Sequence, residues 1–131
     1  MVNTETNRSV GMGDVEIILA GEELVLKPSY RAAKTLSAKY GGLTSAIERV
    51  VRLDLDLIVD VIAIGLGYTS TKRPPEDLGQ KIFETGLTDD TGLIAERCIT
   101  FLRVLAAGGR PLPSDDLDLG DDDDDADPPV G

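Results

Sequence analysis

The spacing of apolar and polar positions changes once along the chain, from two residues to that of a helix. Over residues 14–27 the period is two. Val15, Ile17 and Leu19 share one face, Ile18 falls on the other with Glu16, and Leu24 and Leu26 share a face of a second short run. Gly21 lies between the runs and can supply the positive φ that a tight turn needs. The pattern predicts a β-hairpin over residues 14–27. An isolated two-stranded ribbon is not stable in water, so its apolar face must rest on the following helices or on another copy of the chain.

From residue 28 onward the period is helical. Pro28 or Ser29 opens a first helix with Ala32, Ala33, Leu36 and Tyr40 as its apolar stripe and Arg31, Lys34 and Lys39 on its wet side; Gly41 and Gly42 stop it. Thr44 or Ser45 can cap a second, whose apolar face is Leu43, Ile47, Val50 and Val51. Asp54 is placed to cap a third, with Asp56 near its positive end. That helix carries Leu57, Ile58, Val61, Ile62, Ile64 and Leu66, apolar most of the way round, and should be covered on two sides. Residues 68–74 read as a linker. Pro75, Glu76 and Asp77 open a fourth helix with Leu78, Ile82 and Phe83 as its apolar side. Asp89 or Asp90 caps a fifth, with Ile94, Cys98, Phe101, Leu102 and Leu105 in line. The expected fold class is α+β: an N-terminal β-hairpin packed on a mostly α-helical body of about five helices. The body spans residues 14–109 as one domain, with helices over 29–67 and 75–107. A polar arm (1–13) precedes it and a disordered acidic tail (110–131) follows.

Charge sharpens this division. Residues 115–131 hold nine aspartates and no Lys or Arg. Removing those nine from the 24 acids leaves 15 against 13 bases, so of the total charge of −11 the tail carries −9 and the rest −2. Such a run cannot bury enough apolar surface to offset its ordering entropy and self-repulsion. It aids solubility and repels nucleic acid. It lacks the alternating ligands, the glycine and the terminal Glu of a calcium loop.

Candidate chemistry is sparse. The chain has no histidine, and its single cysteine, Cys98, lies on an apolar stripe, as a core residue does. Asp54, Asp56 and Asp60 form an internal carboxylate group, better read as a cap and a solvated face than as a hard-metal site. Gly11 and Gly13 make a GxG without the strand and helix a nucleotide loop requires. Lys72 and Arg73 sit beside a double proline, with no wider basic surface of the kind that binds nucleic acid. No catalytic, cofactor-binding or metal-binding residue is expected, and no enzyme activity. Residues 1–13 lack the apolar core of a signal peptide, and the apolar run over 57–66 is too short to span a bilayer. A soluble, cytoplasmic protein with neither membrane nor nucleic-acid partners is expected. What remains is interaction through apolar helix faces. The candidate partner-binding residues are Ile62, Leu66, Phe83, Phe101, Leu102 and Leu105.

One stretch carries a resemblance. The run "GDVEIILAGEELVLKPSYRAAKTLSAKYGGL" is followed by an "ERVVR" helix and an apolar "DVIAIGLG" helix. Its marks are the hairpin, the Leu26-x-Pro28-Ser29-Tyr30 opening of the first helix, the stop at Gly41 and Gly42, and the end at Gly65-Leu66-Gly67. Over about the first half of the chain this resembles the small tail-assembly proteins of gene transfer agents and related siphophage-type prophages of alphaproteobacteria. The resemblance implies a non-enzymatic tail assembly chaperone. Its partner would be the long, apolar, helical tape-measure protein, with tail tube subunits and a second copy of the chain as further candidates. An alternative is a structural tail tube or tail-completion subunit retained in the particle. Two short strands speak against a tube subunit, which needs long strands that close into rings. A regulatory adaptor unrelated to tails is the remaining reading.

Overall fold

The computed structural model describes residues 11–90 and 92–112. Most of the expected N-terminal arm and acidic tail therefore lies outside the described residues. Within them the architecture is the expected α+β one, a two-stranded antiparallel hairpin followed by five helices. The strands are β1 (Val15–Leu19) and β2 (Glu22–Leu26), paired in the register Val15 to Leu26 and Leu19 to Glu22. The helices are α1 (Tyr30–Tyr40), α2 (Leu43–Val51), α3 (Leu55–Gly65), α4 (Leu78–Thr85) and α5 (Ile94–Ala106).

The hairpin lies on the helices through its expected face. Val15, Ile17, Leu19 and Leu26 are buried, in one core with residues of all five helices. The buried stripe of α5, including Ile94, Cys98, Phe101 and Leu102, packs along α2 and against β1. A close approach joins hairpin and helix at Gly65. A Cβ there would meet Leu26 side-chain atoms at 3.0 Å and the Phe101 ring at 3.2 Å. The Gly65 carbonyl accepts from the Lys27 N–H at 2.9 Å. Gly65 thus does more than end α3: its missing side chain lets β2 and α5 meet over it.

Two caps fall where expected. Ser29 accepts from the Ala32 N–H at 3.0 Å and Asp54 from the Leu57 N–H at 3.2 Å, each relieving an unpaired donor of a first turn. Two do not. Gly41 and Gly42, at φ of 75° and 114°, reverse the chain so tightly that α2 starts at Leu43 with Gly42 in the cap position, ahead of Thr44 and Ser45. Asp89 and Asp90 lie in the turns before α5. Its cap position is Leu93, at a φ of 51° and without a side-chain cap bond.

Two apolar faces also differ from expectation. On α2 the buried residues are Ala46 and Val50, flanked by half-buried Leu43 and Ile47, and Val51 is 67% exposed. The stripe follows 43, 46, 47 and 50, because the small Ala46 permits a closer approach than a β-branched side chain. On α4, Leu78 and Ile82 are buried but Phe83 is 66% exposed, since this eight-residue helix turns only a narrow face inward. Residues 68–74, expected to be a plain linker, close on themselves through Thr69. Its N–H donates to the Lys72 carbonyl at 2.8 Å, and its hydroxyl accepts from the Lys72 N–H at 2.9 Å.

Candidate functional site

The end of α3 that receives β2 also helps to shape a concave surface. A groove of about 1090 Å³ runs between β2, α1, the C-terminal half of α3 and the loop over residues 66–74. Each wall follows from local sequence. Val25 faces it because it alternates with the inward Leu24 and Leu26. Ala32, Thr35 and Lys39 contribute from α1, spaced three and four apart and hence on one side of the helix. Ala63 and Ile64 contribute from α3 and Leu66 from just beyond its end, and Tyr68 is held by its N–H donating to the Ala63 carbonyl at 3.0 Å.

The floor is mainly apolar, and the rim is cationic. Lys27, Arg31, Lys39 and Arg73 line the groove, against Asp60 as the one acid among its lining residues. Lys27 pairs with Asp14 at 2.9 Å and Lys39 with Asp60 at 2.5 Å. Arg31 and Arg73 form no ion pair among the described residues.

Asp60 ties α3 to α1, accepting from the Tyr40 hydroxyl as well as from Lys39. Burial, the hydrogen bond to Asp60 and its charge push the Tyr40 hydroxyl above its ordinary pKa of 10.0. The Arg49 guanidinium lies over the Tyr40 ring at 5.4 Å, bringing α2 into the same cluster. These bonds brace three helices. Asp54 is engaged as a cap and is 3.4 Å from Arg49, so the three carboxylates do not converge. Among the described residues no group of three or more His, Cys, Asp or Glu is placed to hold a metal ion. Burial pushes the Cys98 thiol up to about 12, leaving it a protonated core group at neutral pH. None of the described helices is long and apolar enough to cross a membrane.

No protein-family model, no curated protein and no solved structure matches the chain. The groove and the exposed side chains must therefore be read on their own chemistry.

The structure separates the six candidate partner-binding residues. Ile62, Phe101 and Leu102 are fully buried and Leu105 nearly so, all within the protein's own core. Packing has taken up the stripes from which they were chosen, so in this fold all four are core side chains. Phe83 stands exposed on α4. Leu66 is half-buried and lines the groove. Sequence reasoning did not find the groove. Its one signal was the all-round apolar surface of α3, which left Ile64 off the core stripe and pointed to cover on a second side.

Proposed function

We propose that the protein is a non-enzymatic assembly chaperone of a phage-type tail, holding an apolar helical segment of a tape-measure protein before the tube polymerises. The resemblance of residues 14–67 to small tail-assembly proteins suggests the class of partner. The observation that carries the proposal is the groove itself. An apolar floor between cationic rims suits an amphipathic segment whose apolar side needs cover and whose flanks carry acids. Leu66, Ile64 and Val25 would meet the apolar side. Arg31 and Arg73 would meet the acids and favour one orientation over another. Exposed Phe83 offers a second contact point outside the groove. Tail tube subunits and a second copy of the chain are further partners of the same reading.

Co-expression with a phage-type tape-measure protein tests this. The expected outcome is a soluble tape measure that co-purifies with the chain, and finished particles that lack the chain. A tape measure that stays insoluble, together with stoichiometric retention of the chain in particles, would assign it instead to the tail structure.

A further inference from the structure

We propose that two copies of the chain pair β2 against β2 across a two-fold axis at Leu24, joining the two hairpins into one antiparallel sheet. The backbone of the hairpin leads there.

Ala20 and Gly21, at φ of 51° and 81°, form a two-residue turn. The pair that flanks it, Leu19 and Glu22, therefore exchanges both backbone hydrogen bonds. Ile17 with Leu24 and Val15 with Leu26 follow as bonded pairs, because bonded and non-bonded pairs alternate along an antiparallel ladder. The N–H and C=O groups of Glu23 and Val25 then point away from β1, and those of Glu16 and Ile18 point away from β2.

The fold closes much of these two edges. On the β1 side the Ala20 N–H donates to the Thr85 hydroxyl at 2.9 Å, and a Cβ on Gly92 would stand 3.1 Å from the Ile18 carbonyl oxygen. On the β2 side the Lys27 N–H donates to the Gly65 carbonyl at 2.9 Å. Glu23 and Val25 have no such cover among the described residues. The edge they form opens on the groove, which Val25 and Lys27 line, so the chain's own body leaves space beside it. An open strand edge is a template for another strand.

The open edge fits a second copy of itself. With the axis at Leu24, Glu23 of each copy lies opposite Val25 of the other. Every outward N–H and C=O of the two residues then finds its counterpart, four hydrogen bonds in all. The same register keeps like charges apart, since each Glu23 faces a valine. It brings the two half-buried Leu24 side chains together at the axis, extending the apolar face that Leu26 begins. Glu22 falls opposite Leu26 of the other copy and hence next to its Lys27, an acid beside a cation on the groove rim. Pairing stands apart from the chaperone reading. Under that reading, a second copy and a tape-measure segment compete for the Val25 wall.

The test uses the full chain without any other protein, so its failure reflects on pairing alone. Sedimentation equilibrium over a dilution series should show a reversible dimer. Val25→Pro removes the outward N–H and leaves the bonds to β1 intact. Losing two of the four bonds should raise the dimer dissociation constant about tenfold or more. Cysteine pairs read the register separately. Leu24→Cys should cross-link two copies on mild oxidation, because facing non-bonded residues have Cα atoms about 4.5 Å apart. Val25→Cys, out of step with its own counterpart, should cross-link at least tenfold more slowly, and Cys98 is fully buried and stays silent. A native chain that is monomeric at every concentration would overturn the proposal and leave the edge to a strand of another protein. A folded Val25→Pro variant that dimerises as tightly as the native chain, or cross-linking through Val25→Cys as fast as through Leu24→Cys, would overturn it as well.

Discussion

Single residues differ in what they hold together. Phe101 is fully buried among β2, α3 and α5, while Phe83 is largely exposed, although both fell on apolar helix faces by spacing alone. Phe101→Ala should cost about 3–5 kcal/mol through lost burial and a cavity. Phe83→Ala should change stability by no more than about 0.5 kcal/mol. Urea unfolding of the two variants measures the difference. Tyr40 offers a pH test. Its hydroxyl is held above its ordinary pKa in the folded chain, so its contribution is fully present below pH 10. It is lost as pH rises through the folded value. Tyr40→Phe should therefore cost about 0.5–1.5 kcal/mol near neutrality, and the gap from the native chain should narrow at about pH 11 and above. A gap that widens with pH would mean that Asp60 does not hold the neutral hydroxyl.

At the scale of elements, what sequence made legible follows how local the determinants are. The hairpin, the first helix from Ser29, the third from Asp54 and the stripe of α5 rest on alternation, capping and helical spacing, all contained in a few neighbouring residues. The misplaced features depend on contacts made across the fold. Ala46 rather than Val51 is buried on α2 because α5 passes close to it, and Leu93 opens α5 in a left-handed conformation next to Gly92, where a Cβ would meet the Ile18 carbonyl of β1 at 3.1 Å. Gly65 shows the same limit. Its spacing marks a helix end, but its meeting with Leu26 and Phe101 exists only in three dimensions. Gly65→Ala would normally favour a helix. Here the added methyl should force β2 and α5 apart and lower stability by about 1–3 kcal/mol. Thermal unfolding reads this directly, and a rise in Tm would show that the junction tolerates the methyl.

For the whole molecule, the division between an apolar-cored body and an acidic C-terminal segment was legible from composition, and the body's architecture followed from periodicity. The groove was not. Four of six candidate residues were drawn from the strongest apolar stripes, and the strongest stripes are the ones a small core uses first. The groove is built from weaker positions: an outward strand residue, an isoleucine off the main stripe, and polar residues of α1 read as a wet face. They line one concave surface only because β2 docks on the end of α3. Cys98 makes an independent check of that packing. Buried and protonated, it should react with thiol reagents only after unfolding, and rapid reaction of the native chain would place α5 elsewhere.

The claim that the groove receives the partner is tested most directly by filling it. Thr35 is exposed on the groove side of α1, away from the core. Thr35→Trp, co-expressed with the tape-measure protein, should lower its soluble recovery at least tenfold while the variant keeps the native Tm. Phe83→Ser run alongside should retain most of the recovery. If Thr35→Trp recovers as much tape measure as the native chain, the groove is not the seat of the partner and the account fails at its centre.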